Sequence, residues 1–120
     1  MINLAKRQGR ERVALAAIAK AEKISLKYLE RLFAGLKKAG LVKAEIGAAG
    51  GYQLAKSASK ITIYDIIIAL EGKLSPFHCS SKNKKIFCSS ACGCGVTLVL
   101  SKVEQAITGT MKNIKLSQLL

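Results

Sequence analysis

Aromatic side chains are scarce in this chain: three Tyr, three Phe and no Trp. The interior must therefore be filled by Leu, Ile, Val and Ala. Acidic residues are also few, seven Asp and Glu against twenty Lys and Arg, for a formal net charge of +13. Such an excess repels itself in a compact fold and favours polyanionic partners. An anionic membrane surface would suit the same charge, as would a basic protein with no nucleic-acid partner. No apolar run approaches the length of a membrane-spanning helix, so no membrane partner of that kind is expected. Residues 1–9 lack the central apolar block and cleavage site of a signal peptide. The expectation is a cytoplasmic protein. In that compartment the four Cys read as metal ligands or redox thiols rather than as a disulfide framework.

Half of the 120 residues are apolar, enough for one folded domain with a modest core. Met1 to Lys6 reads as the end of a helix stopped by Gly9, as though much of a first helix were missing. Residues 12–22 form the next helical piece, with Leu15, Ile18 and Ala19 on one face. Lys23 and Ile24 make a short turn, and Ser25 is a good N-cap. Residues 26–39 carry the clearest helical signal. At 100° per residue, Leu26, Leu29, Leu32, Phe33 and Leu36 share one face, while Lys27, Arg31 and Lys38 lie opposite, with Ala34 keeping that face flat. Gly40 is its stop.

Residues 41–46 and 52–54 read as two short strands joined by Gly47-Ala48-Ala49-Gly50-Gly51, a hairpin or wing. Residues 56–60 are a polar linker. Thr62 and Asp65 resemble a capping box ahead of a helix with Ile63, Ile66, Ile67 and Leu70 on one side, ended by Gly72. The stretch 74–95 holds all four Cys, the only His and the only Pro. It is too polar and too broken for a core element. A last helix over about 96–111 carries one apolar stripe of Val96, Val99, Leu100, Val103, Ala106, Ile107 and Met111, and the tail 114–120 is apolar enough to pack back.

Two short helices with a tight turn, then a Gly-rich hairpin, define a winged helix-turn-helix over roughly 15–54. The fold class is mainly α with a small β-hairpin, plus a long C-terminal helix. It divides as 1–72 winged helix-turn-helix domain, 73–95 cysteine-rich loop, and 96–120 long helix and tail. In such folds the second helix enters the major groove of double-stranded DNA. Ser25, Lys27, Tyr28 and Arg31 are then aimed at DNA, and Lys37, Lys38 and Lys43 at phosphates. A solvated charged face would look the same on the helix alone. Gly50 and Gly51 would let the wing backbone approach the minor groove, or they and Gly47 would merely close the hairpin.

The stretches Ser25-Leu26-Lys27-Tyr28-Leu29-Glu30-Arg31-Leu32, Lys38-Ala39-Gly40-Leu41-Val42, Gly47-Ala48-Ala49-Gly50-Gly51-Tyr52 and Asp65-Ile66-Ile67-Ile68-Ala69-Leu70-Glu71-Gly72 resemble the Rrf family of bacterial repressors, of the IscR/NsrR type. The resemblance covers nearly the whole chain. It implies a homodimer held largely by the long C-terminal helix and bound to a palindromic operator. It implies contacts from Ser25, Lys27 and Tyr28, with Glu30 where the family can place a sequence-discriminating acid. Two departures stand out. The family usually begins with a longer N-terminal segment, and it often has Arg directly before the wing's first Gly, where this chain has Ile46 preceded by Glu45.

Thiolates bind soft or borderline metals, so the Cys-rich loop can hold an iron–sulfur cluster or zinc. The spacing of Cys79, Cys88 and Cys94 is similar to that of cluster-binding members of the family, in which three Cys hold a [2Fe–2S] or [4Fe–4S] cluster and a fourth ligand is often not Cys. Zinc could instead take Cys79, Cys88, Cys92 and Cys94, although Cys92-Gly93-Cys94 is closer than usual structural spacing. Free thiols are the third alternative. His78, next to Cys79, reads as a loop residue, and Lys82, Lys84 and Lys85 would suit an anionic cluster. The leading expectation is a dimeric regulator whose cluster state alters DNA affinity. Its rivals are a regulator without a cluster and a zinc-binding winged-helix interaction module. An enzyme with a Cys nucleophile and His78 as base lacks a recognisable third partner, so no catalytic residue is assigned.

Overall fold

The computed structural model describes residues 1–7, 12–47, 50–72 and 94–120. Among these residues the elements are α1 (Ile2–Lys6), α2 (Leu15–Glu22), α3 (Leu26–Lys38), β1 (Val42–Glu45), β2 (Gly51–Leu54), a 3₁₀ turn at Ala58–Lys60, α4 (Ile63–Glu71), α5 (Gly95–Asn113) and a 3₁₀ turn at Leu116–Leu119. The expected class is what is found: helices around one two-stranded antiparallel hairpin, with a long C-terminal helix.

One apolar cluster holds the winged body together. Leu15, Ile18 and Ala19 from α2 meet Leu29, Phe33 and Leu36 from α3. Leu4 and Ala5 of α1, Val13 before α2, Leu41 before β1, Val42 and Leu54 of the hairpin, and Ala58, Ile61 and Leu116 complete it. The turn between α2 and α3 is built by Lys23, whose left-handed backbone (φ 53°) lets the Ile24 N–H return to the Ala19 carbonyl at 3.0 Å. Ser25 then caps α3, its hydroxyl accepting from the Tyr28 N–H at 3.3 Å. After α3, Gly40 at φ 67° takes the chain out of the helix.

Several details depart from the periodicity. The helix expected from residue 12 begins only at Leu15, because Val13 is drawn off to pair with Tyr52. Leu26, expected on the buried face, is 41% exposed. The expected polar linker 56–60 contains a 3₁₀ turn that buries Ala58. The second strand begins one residue early, at Gly51.

The capping box forms as expected. Asp65 Oδ2 accepts from the Thr62 N–H at 2.9 Å, and Thr62 Oγ1 accepts from the Asp65 N–H at 3.0 Å. The bond from the Thr62 N–H holds the Asp65 carboxyl below its ordinary range, with help from the Thr62 side chain and the charges of Lys56 and Lys115, against a smaller opposing effect of burial. Helix α4 lies on α3 at Gly35, where a Cβ would stand 2.9 Å from the Ala69 carbonyl oxygen. Ile66, Ala69 and Leu70 pack against the core from that side.

The tail does pack back. The Ile63 N–H donates to the Ile114 carbonyl at 3.0 Å, and the Leu116 N–H to the Ile61 carbonyl at 2.9 Å. Leu116 and Ile61 are the most completely buried large side chains among the described residues. The C-terminal end of α5 is thereby fastened to the winged body. The rest of α5 contributes no buried residue. Its single expected stripe is split: Leu100, Ile107 and Met111 are half-buried, while Val96, Val99, Val103 and Ala106 stay exposed.

Candidate nucleic-acid interface

Helix α3 presents two opposed faces. Leu29, Phe33 and Leu36 are buried at 5%, 3% and 3% exposure. On the far side Lys27, Arg31, Ala34 and Lys38 are all exposed. At 1.5 Å per residue, Lys27 and Lys38 stand about 16 Å apart along the axis, the length of about five stacked base pairs. Lys37 is exposed on the flank, as is Lys43 on β1. Tyr28 is half exposed, and the Arg31 guanidinium sits over its ring at 5.8 Å from the centroid. That contact steadies a long cation without removing its donors from solvent. Ser25 is exposed and already accepts the capping bond, which leaves its own hydroxyl hydrogen available to a phosphate or base edge. Glu30 is exposed beside Arg31.

The hairpin pairs Val42 with Leu54, Lys43 with Gln53, Ala44 with Tyr52 and Glu45 with Gly51. Tyr52 ties it to α3 through an edge-to-face contact with Phe33, ring centroids 4.9 Å apart. The wing is also tied to the residues before α2. The Val13 N–H donates to the Tyr52 carbonyl at 3.0 Å and the Tyr52 N–H to the Val13 carbonyl at 2.9 Å. Arg12, next to Val13, forms an ion pair with Glu45.

Two of the three wing glycines have structural tasks. A Cβ on Gly51 would lie 2.9 Å from the Val13 backbone, and one on Gly50 would lie 2.5 Å from the Glu45 carbonyl oxygen. Both are half-buried. Ile46 is fully exposed at the mouth of the turn, and residues 48–49 lie outside the described residues. Sequence reasoning missed the Val13–Tyr52 pairing and the Arg12–Glu45 pair. Neither has a local signature, since each joins residues more than thirty positions apart.

Cys94 is the N-cap residue of α5, half-buried and free. A thiolate there faces the positive end of the helix dipole, which favours a negatively charged ligand. Cys79, Cys88, Cys92, His78, Lys82, Lys84 and Lys85 lie outside the described residues, as does Gly9. Among the described residues no three His, Cys, Asp or Glu gather as a metal site. No helix among the described residues is long and apolar enough to cross a membrane.

A short turn between α2 and α3, an exposed cationic face on α3 and a flanking wing define a winged helix-turn-helix of the transcriptional-regulator class. The whole chain, residues 1–120, matches the family model Rrf2, described as iron-dependent transcriptional regulator. The chain belongs to the Rrf2 family. The HTH-type transcriptional regulator IscR of Cereibacter sphaeroides is 45% identical over 75 residues, 62% of this chain and 48% of that protein. IscR of Klebsiella pneumoniae is 36% identical over 107 residues, 89% of this chain and 64% of that protein. The chain thus spans about half to just under two thirds of these relatives. Among solved structures, CymR (YrzC), the global cysteine regulator of B. subtilis, superimposes with a TM-score of 0.78 at 33% identity, covering 98% of this chain and 84% of that one. T. potens IscR gives 0.75 at 36% identity, covering 98% and 75%. These relatives are transcriptional regulators rather than enzymes.

Proposed function

We propose that the chain binds double-stranded DNA as a homodimer and regulates transcription from a palindromic operator. The observation that carries this reading is the exposed face of Lys27, Arg31, Ala34 and Lys38, backed by the buried Leu29, Phe33 and Leu36. A helix so arranged can be pressed into a major groove without disturbing its own packing. Ser25, Lys27, Tyr28 and Arg31 reach base edges and nearby phosphates. Lys37, Lys38 and Lys43 take phosphates further out, and Gly50 and Gly51 shape the wing.

The dimer seam is the exposed part of α5. Val96, Val99, Val103, Ala106 and Thr110 follow a three-four spacing, and all are exposed. That spacing is the seam of a two-helix coiled coil, with β-branched side chains at every position but Ala106. A second copy of the chain covers it. The functional division is a DNA-binding part over 1–72, a cysteine-rich loop over 73–95 and a dimerisation helix and tail over 96–120.

The loop's Cys79, Cys88 and Cys94 hold an iron–sulfur cluster. The fit on the described side is a free, half-buried thiol at a helix N-terminus. When bound, the cluster supplies sensitivity to iron and oxidants. The chain's own part is mechanical. Cys94 caps the start of α5, whose far end is held by the Ile114 and Leu116 backbone bonds. A shift at Cys94 therefore moves the seam relative to a fixed winged body, changing the spacing between the two recognition helices.

The test is fluorescence anisotropy with the DNA upstream of the chain's own reading frame, across a salt series, with protein purified anaerobically and again after iron chelation. Steep salt dependence and a visible absorption band that vanishes on chelation are expected. Weak, salt-independent binding sinks the DNA reading. Iron-free, colourless protein sinks the cluster and leaves DNA binding standing.

A further inference from the structure

We infer that Arg12 is a phosphate contact of the wing, supplied from outside the hairpin and positioned by Glu45. The inference rests on the DNA-binding reading above.

Among the described hairpin residues, 42–47 and 50–54, the charged side chains are Lys43 and Glu45, one of each sign. At the turn the aliphatic Ile46 is fully exposed. By itself the hairpin offers a polyanion no net attraction. Arg12 changes that balance to one positive charge. Its placement is not left to a long side chain wandering over the surface. Val13 is locked to Tyr52 by two backbone hydrogen bonds of 3.0 and 2.9 Å, and Gly51 allows that close approach because it has no Cβ. The residue facing Glu45 across the hairpin is Gly51 as well, so that partner position puts no side chain between Glu45 and Arg12.

The Arg12 Nη2–Glu45 Oε2 pair stays solvent-accessible, with side chains 38% and 47% exposed. An exposed ion pair adds little to folding. It does fix the guanidinium's direction. A guanidinium has five N–H donors and a carboxylate can occupy two of them, which leaves others for a phosphate oxygen. Glu45 is thus a positioning residue, and Arg12 touches the ligand.

The experiment compares the parent chain with Arg12→Ala, Arg12→Lys and the double variant Arg12→Ala/Glu45→Gln. Each is titrated by anisotropy against the upstream duplex, with a mixed-sequence duplex of equal length alongside. Circular dichroism melts establish that all four fold. One lost phosphate contact lowers the slope of log K against log salt by about 0.9 per protomer, and at 0.1 M salt this is roughly an eightfold weakening. Arg12→Ala and the double variant are both expected to show it, on both duplexes, and Arg12→Lys to retain the slope. If Arg12 merely neutralises Glu45, the double variant recovers the parent's affinity and slope, and that result overturns the inference. A parent chain without salt-dependent binding to either duplex removes the DNA reading and this inference together, and is a distinct outcome.

Discussion

Replacing Gly51 by Ala tests how firmly the wing is tied to the residues before α2. The new Cβ would stand 2.9 Å from both C and O of Val13 and 3.1 Å from its N, where ordinary contact begins near 3.4 Å. Because the obstructing atoms are backbone, the segment must move by about 0.5 Å to restore normal separation. That movement strains or breaks the two Val13–Tyr52 hydrogen bonds, each worth about 0.5–1.5 kcal/mol. It also lifts Val13, only 3% exposed, part-way out of a site whose full burial is worth about 1.5–3 kcal/mol. The expected loss is therefore about 2–4 kcal/mol, a large share of a domain's usual 5–15 or so. Urea denaturation followed by circular dichroism measures it. Amide hydrogen exchange at Val13 and Tyr52 localises it, both amides losing protection ahead of those in α3. A loss under about 0.5 kcal/mol, with both amides as protected as in the parent, would refute the reasoning.

Three further perturbations follow from the same packing. Lys23→Gly relieves a left-handed backbone at the helix-turn-helix corner, and the gain, net of glycine's greater freedom when unfolded, is about 0.5 kcal/mol, read as a rise of about 2–4 °C in Tm. Asp65→Asn removes a carboxylate whose folded pKa is held below its unfolded value. Its contribution is present above the ordinary carboxylate range and lost as pH falls through the lower folded value, so the stability gap between parent and variant is expected to be open at neutral pH and to close in strong acid, by urea midpoints at each pH. Val99→Asp with Val103→Asp places charge on the exposed α5 stripe. Sedimentation is expected to show monomers with unchanged helix content, and a dimer as tight as the parent's would exclude that stripe as the seam.

Much of this fold was legible in local patterns because its elements report themselves locally. The apolar period over Leu29, Phe33 and Leu36, the Ser25 cap, the Gly40 stop and the Thr62–Asp65 box each depend on residues within a few positions of one another. The tail's return was legible only as an apolar tendency. That Leu116 lands beside Ile61 is a matter of long-range packing. The stripe on α5 shows the limit clearly. Periodicity counted Val96, Val99, Val103 and Ala106 together with Leu100, Ile107 and Met111. It could not tell which of these face α4, since hydrophobicity is the same on both sides of that division.

For the candidate interface, the sequence by itself determined the cationic face of α3 and the class of partner it suits, because net charge and helical spacing are properties of the chain alone. Tertiary structure decided how the wing is mounted. Val13 on Tyr52, Gly51 beneath Val13 and Arg12 on Glu45 are meetings of residues far apart in the chain. No propensity or spacing encodes such meetings, because they exist only once the hydrophobic core has fixed where the segment before α2 passes the hairpin.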